Sequence, residues 1–379
     1  MNELSSAPPA FEIPASDPRL AQLLHEFPAA LFSERRYQSI ELMERYSIEL
    51  AVDLSRRLNL IDQLNEWRSV DELCGLLSFQ PRFKFALRWI LERLIEGGCA
   101  GARNEGAARS YRLLHAPWEP DLKYFRTLGL NIDPGNAATL DLLDHAASLY
   151  PAVARGGQGG DHNLLGPQGV SLWLNYFHND NSTYAVNNWV GAVLAADLLV
   201  TRRTVRILEL GAGSGSASEI LLQLLTERDI LPRVERYLIT EPNAYFRRCS
   251  QRKLIAQYPN LPLEWAPLDV DLPWNAQGIT SGEFDLVYAV NVMHISKNLL
   301  FSLNEARSAL APNGWLVIGE CVRPYDHQPI YAELMFQILE SFTNVEIDPE
   351  VRPNPGFLTA EQWRRAFSRA GFNHTKIAP

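Results

Sequence analysis

Apolar residues between positions 20 and 115 recur at three- and four-residue intervals, the spacing of helices that bury one face. Leu42, Tyr46, Ile48, Leu50, Leu54 and Leu58 make one series, and residues 70–77 make a second, shorter one. Phe85, Leu87, Trp89, Ile90, Leu91 and Leu94 make a third, which Gly97-Gly98 stops. Cys99-Ala100 and Ser110–Leu113, on either side of a polar loop, predict two short strands of a hairpin. From Val205 the rhythm changes to short β-rich runs separated by amphipathic stretches. Strands are expected at 205–210, 236–240, 263–268, 284–289 and 315–319, with a weaker one near the C-terminus. Alternation of this kind predicts a mostly parallel sheet covered by helices on both faces.

The chain therefore divides into a Pro/Ser/Ala-rich arm at 1–19, a helical unit at 20–115, a connecting region at 116–200 and an α/β domain at 201–379. The helical unit has the order of a winged helix: helix, short helix, longer helix, two-stranded wing. A DNA reader presents basic and amide groups on its third helix. Here Arg82, Lys84, Arg88 and Arg93 alternate with bulky apolar residues and Glu92. Formal charge is −9, with no block of like charges, so neither nucleic acid nor an anionic membrane is the expected partner. A packing or dimerisation role fits this unit better.

Composition adds little else. The apolar share of 46% and charged share of 21% suit a soluble globular protein. Cys74, Cys99, Cys249 and Cys321 form no CxxC pair and have no histidines at zinc-finger spacing, so reduced thiols in the cytoplasm are expected. The first residues lack a basic start followed by an apolar run, so a secretory signal is not expected, and the apolar run near 190–200 is too short to span a bilayer. His162, His178, Asp161 and Asp180 are too loosely spaced to predict a metal site.

The sharpest signal is Glu209-Leu210-Gly211-Ala212-Gly213-Ser214-Gly215, placed after a strand and before an apolar helix. Glycines there let backbone approach a ligand, and the helix N-terminus adds free N–H donors. The spacing is G-x-G-x-G, not the G-x-G-x-x-G of nicotinamide binders. Glu209 would repel a pyrophosphate but suits a cationic ligand without phosphate, such as S-adenosylmethionine. Glu241 ends the next strand, where a carboxylate can accept from ribose hydroxyls. Asp269 and Val270 follow the third, suited to an adenine amino group and ring. Asn291 and His294 follow the fourth, and Glu320 ends the fifth, so His294 and Glu320 could meet at adjacent strand ends.

With these segments in this order, residues 205–320 resemble the class I methyltransferase family. The resemblance implies a Rossmann-like α/β sheet of seven strands and S-adenosylmethionine as cofactor. It implies methionine-end contacts at Glu209, Gly211, Gly213, Gly215 and Asn291, ribose contact at Glu241, and adenine contacts at Asp269 and Val270. The stretch from Ala51 to Leu114 resembles the N-terminal dimerisation domain of small-molecule O-methyltransferases, which implies a homodimer. The NVMHIS and LAPNGWLVIGE segments resemble methyltransferase domains of polyketide synthases and their stand-alone relatives. That implies His294, oriented by Glu320, as general base toward a small-molecule or carrier-linked acceptor of the secondary-metabolite kind, at oxygen or an activated carbon.

Trp173, Tyr176, Phe177 and Tyr184 lie in an aromatic and amide cluster suited to lining the acceptor pocket as a lid, and Arg323 to an anionic group on the acceptor. Methylation of nitrogen or of a free carboxylate is the enzymatic alternative. A regulator that keeps a methyltransferase-like ligand domain is the alternative from another class; a strongly basic third helix would have favoured it.

Overall fold

The computed structural model describes residues 27–105, 108–157, 159–167 and 169–377. The arm proposed at 1–19 lies outside the described residues. The first long helix, α1 (Glu34–Arg57), starts where Ser33 accepts from the Arg36 amide. Its buried face carries Leu42, Met43, Tyr46, Leu50 and Leu54. Strand β1 (Arg68–Ser69) runs into α2 (Val70–Leu76), whose start is a capping box between Ser69 and Glu72. Then come α3 (Lys84–Glu96), β2 (Ala100–Glu105) and β3 (Ala108–Leu113), and the three strands form an antiparallel sheet in the order β1-β3-β2. Of the basic residues of α3, Arg93 turns inward, whereas Lys84 and Arg88 stay exposed. Arg93, 2% exposed, pairs with Glu44 and Glu96, and Arg88 reaches Asn354.

The connecting region is helical: α4 (Leu122–Ile132), α5 (Ala137–Ala154), α6 (Val170–Tyr176) and α7 (Ser182–Leu199), with a short helix at Gly160–Leu164. Among the described residues, no helix is long and apolar enough to cross a membrane. The α/β part follows as β4 (Val205–Leu210), α8 (Ser216–Glu227), β5 (Val234–Thr240), α9 (Ala244–Gln257), β6 (Leu263–Ala266), β7 (Phe284–Val290), α10 (Leu299–Ala309), β8 (Leu310–Gly319) and α11 (Ala360–Arg369). The sheet is parallel, in the order β6-β5-β4-β7-β8.

Successive residues of β4 face opposite ways. Val205 and Ile207 join one core with α7 and α8; Leu208 and Leu210 join a second with α10 and α11. The sheet has five strands among the described residues, not the seven expected, and the strand anticipated near the C-terminus does not form. After Gly371 the sequence FNHTKI offers no alternating apolar positions from which a buried strand could be built. Residues that follow β8 instead join the N-terminal helices. Tyr331, Leu334, Met335, Ile338, Leu339, Phe342 and Phe357 share one core with α1, α3 and α5. Helical unit and C-terminal segment therefore meet above the carboxyl ends of the strands, where open α/β sheets bind ligands.

Candidate active site

A crevice of about 370 Å³ opens at those strand ends, lined by Glu209, Gly211, Gly213, Glu241, Asp269, Val270, Asn291 and His294 and by Trp173, Tyr176, Phe177 and Tyr184. Residues anticipated from the sequence as contacts for two different ligands thus share one cavity, within the size range of small-molecule sites.

At the β4 end, Gly211 takes a φ of +56°, and a Cβ there would fall 2.7 Å from Val292 Cγ2. Only glycine fits that combination. Glu209 points to the face covered by α8, where it is 1% exposed and its Oε2 accepts from Tyr237 Oη (2.6 Å) and Ser218 Oγ (2.7 Å). Burial raises its carboxyl to about 7, against the pull of those two donors. Glu241 stands across from it: Oε2 accepts from the Gly213 amide (2.9 Å) and Oε1 from the Asn243 amide (2.8 Å). Burial also raises its carboxyl above the ordinary range.

Asp269 turns back on its own loop, with Oδ1 accepting from the Asp271 amide at 3.0 Å. Asn291 holds a φ of +55°, tolerated by asparagine, and its Oδ1 accepts from Asn187 Nδ2 at 2.9 Å. Asn187 also donates to Cys321 Sγ at 3.2 Å. Burial pushes the Cys321 thiol up to about 12, so it stays protonated near neutral pH.

His294 and Glu320 meet as adjacent strand ends predict. Nδ1 lies 2.7 Å from Glu320 Oε2, and both side chains are almost fully buried. Glu320 Oε1 accepts from the backbone amides of Val292 (3.0 Å) and His294 (3.2 Å), which fixes the carboxylate to the loop it serves. Since a carboxylate only accepts, the pairing places a proton on Nδ1, and the neutral imidazole then presents the lone pair of Nε2. Nε2 is buried without a hydrogen-bond partner. Phe357, Phe342 and Phe336 pack around the imidazole at ring separations of 4.5, 5.8 and 6.2 Å.

Arg352 braces this loop from behind. It is 1% exposed and donates to the carbonyls of Ser296 (2.6 Å), His294 (3.1 Å) and Met293 (3.4 Å), and burial lowers its guanidinium to about 10. Replacing it with methionine leaves the Ser296 and His294 carbonyls without their donor, while Met293 keeps the Ser296 amide. We expect a loss of roughly 2–5 kcal/mol in unfolding free energy, measured by urea denaturation. A loss under 0.5 kcal/mol, the range of surface substitutions, would refute the bracing role.

Two anticipated site residues lie elsewhere. Gly215 does not line the crevice; its φ of +85° opens α8, and its bare Cα lets Ser250 of α9 approach, since a Cβ would fall 2.9 Å from Ser250 Cβ. Arg323 turns away from the crevice to pair with buried Glu333 (2.6 Å), lining a separate cavity against α3. Its charge is spent on a carboxylate ten residues later, a partner that strand-end position alone does not reveal. Among the described residues, no group of three or more His, Cys, Asp or Glu side chains is placed to hold a metal ion. His178 instead lies 3.1 Å from Asp180, and Asp161 Oδ2 accepts from the Glu340 amide. Arg352 and Cys321 were missed from sequence, because each acts through a contact distant along the chain.

Parallel strands deliver a glycine turn, two carboxylates and a buried imidazole to one edge, and the chain carries a methyltransferase domain. Residues 208–316 match the family described as a methyltransferase domain. The highly reducing polyketide synthase resH of Aspergillus sclerotiorum is 34% identical over 174 residues, which are 46% of this chain and 6% of that protein. The chain spans a tenth or less of the length of such curated relatives. The crystal structure of the CurJ carbon methyltransferase superposes with a TM-score of 0.76 and 25% identity, covering 93% of this chain and 90% of that one. The trans-methyltransferase CalH, solved in complex with SAH, shares the fold with a TM-score of 0.61 and 18% identity over 89% of this chain and 84% of that one.

Proposed function

We propose that the chain methylates an activated carbon of an acyl acceptor, free or carrier-linked, with S-adenosylmethionine as donor and His294 as general base. The observation that carries this reading is the buried, unpartnered Nε2 of His294 on the crevice wall, with Nδ1 anchored to Glu320. The resemblance to polyketide synthase methyltransferase regions and to a carbon methyltransferase supports the choice of carbon.

The crevice fits the donor. A carboxylate at Glu209 suits the ammonium of the methionine end, and Glu241 has accepting capacity left for ribose hydroxyls beyond its two backbone amides. Asp269 and Val270 would take the adenine edge and face. When bound, the cofactor supplies a methyl group on a sulfonium, an electrophile for a carbon nucleophile.

The remaining work falls to side chains of this chain. His294 Nε2 takes the proton from the acceptor carbon, and Glu320 stabilises the resulting imidazolium through Nδ1–H. Phe336, Phe342 and Phe357 keep water from the imidazole, which strengthens the His294–Glu320 interaction by lowering the local dielectric. In D2O without cofactor, the protein should accelerate exchange of the hydrogens between the carbonyls of a β-keto thioester, followed by NMR. Exchange at the rate of the buffer would sink the carbon-acid reading. The homodimer implied by the sequence resemblance is part of the proposal, and sedimentation velocity tests it: a species near 43 kDa alone would exclude it.

A further inference from the structure

Among the described residues, two that line the crevice have a buried side-chain nitrogen without a hydrogen-bond partner: His294 Nε2 and Trp173 Nε1. The first is the proposed base. The second has no role in the chemistry described so far. Trp173 is 1% exposed, and rings hold it on three sides. It stacks on Phe177 (5.1 Å, 23°), meets Tyr176 edge-on (5.8 Å) and lies tilted against Phe336 (5.3 Å). Phe336 in turn contacts the His294 ring at 6.2 Å. One phenyl ring therefore touches both the indole and the imidazole.

A buried N–H without a partner carries an uncompensated desolvation penalty, and a phenylalanine would fill most of that space without it. Buried indoles usually find an acceptor. The two nitrogens are also of opposite kind: Nε2 of His294 accepts, Nε1–H of Trp173 donates. A carbon acid beside a carbonyl presents the reverse pair, a proton to give and an oxygen on which charge gathers.

We propose that the Trp173 indole N–H donates to the oxygen of the acceptor carbonyl next to the methylated carbon and stabilises the enolate as it forms. This rests on the carbon-methylation reading above. The acceptor C–H proton moves to His294 Nε2, its electron pair becomes a C=C bond, and the carbonyl π pair moves onto the oxygen that faces the indole. On methyl transfer the oxygen pair returns to C=O, and the C=C pair forms the new C–CH3 bond. The S–CH3 pair stays on sulfur, and His294 gives up its proton to solvent. Acceptors are then limited to compounds with a carbonyl beside the reacting carbon, which excludes simple amines and phenols.

The test is Trp173→Phe, assayed with an acetoacetyl thioester and S-adenosylmethionine. An oxyanion donor acts mainly in the transition state, so kcat should fall roughly 10²–10³-fold, with acceptor KM and cofactor affinity held within about 3-fold. Exchange of the acceptor C–H in D2O should fall with kcat, which a loss of packing alone would not reproduce. Because Trp173 is buried, benzothienylalanine at 173 provides a second variant that keeps the bicyclic shape and removes only the N–H; it should match Trp173→Phe. Retention of kcat within about 3-fold in either folded variant overturns the assignment. If the wild-type protein neither exchanges nor methylates the thioester, the carbon-methylation reading fails and the role of Trp173 falls with it.

Discussion

His294→Ala should lower turnover about 10²–10⁴-fold, the usual range for removing a general base, while S-adenosylmethionine binds with near wild-type affinity. The two effects separate because His294 and the carboxylates proposed for the cofactor stand on different elements. Glu209 lies among the last residues of β4 and Glu241 follows β5, whereas His294 lies beyond β7 and is held by Glu320. Turnover measured at saturating donor, beside calorimetric titration of donor binding, checks both halves. A variant with unchanged turnover would remove His294 from the chemistry. A variant that no longer binds the donor would mean that the loop supports the cofactor site instead.

The second large effect concerns Glu209 and pH. Burial sets its carboxyl near 7, so at pH 6 most molecules carry it protonated. A bound ammonium favours the ionised form. Donor binding should therefore release a proton below pH 7, and affinity should rise with pH through that region before levelling off above it. Glu209→Gln should flatten this dependence and weaken binding roughly 10–100-fold at pH 8, the worth of a charged hydrogen bond. Calorimetry in buffers of different ionisation enthalpy reads the proton directly; a pH-independent affinity in the wild type would contradict the assignment. The same group affects folding with a definite sign. Its folded value lies above the unfolded one, so its contribution to stability is full below about 4.3 and is lost as pH rises through about 7.

How much of this was legible in the sequence follows from the range of each interaction. The glycine turn, the strands at 205–210 and 284–289 and the pairing of His294 with Glu320 were readable, because continuous apolar β-rich runs and parallel strand order are local or nearest-neighbour rules. Glu209 was readable for its charge but not for its depth. Its burial depends on Tyr237 from the neighbouring strand and Ser218 from the helix above. Arg323 shows the opposite case. An arginine after a strand at the ligand edge looked free for an anionic acceptor, yet Glu333, at the start of the short helix Glu333–Phe336, takes its charge. Arg352 reaches back 58 residues to the His294 carbonyl. Contacts of that kind leave no periodic trace. The seven-strand expectation came from resemblance, while the last residues lack the alternation that a further strand requires.

The measurement that bears most directly on the account is the position of the transferred methyl. With S-adenosylmethionine labelled by carbon-13 in its methyl group and a β-keto thioester as acceptor, the account predicts label on the carbon between the two carbonyls, seen by NMR as a methyl coupled to a C–H. Label on an oxygen or a nitrogen, or none on the thioester, would contradict it.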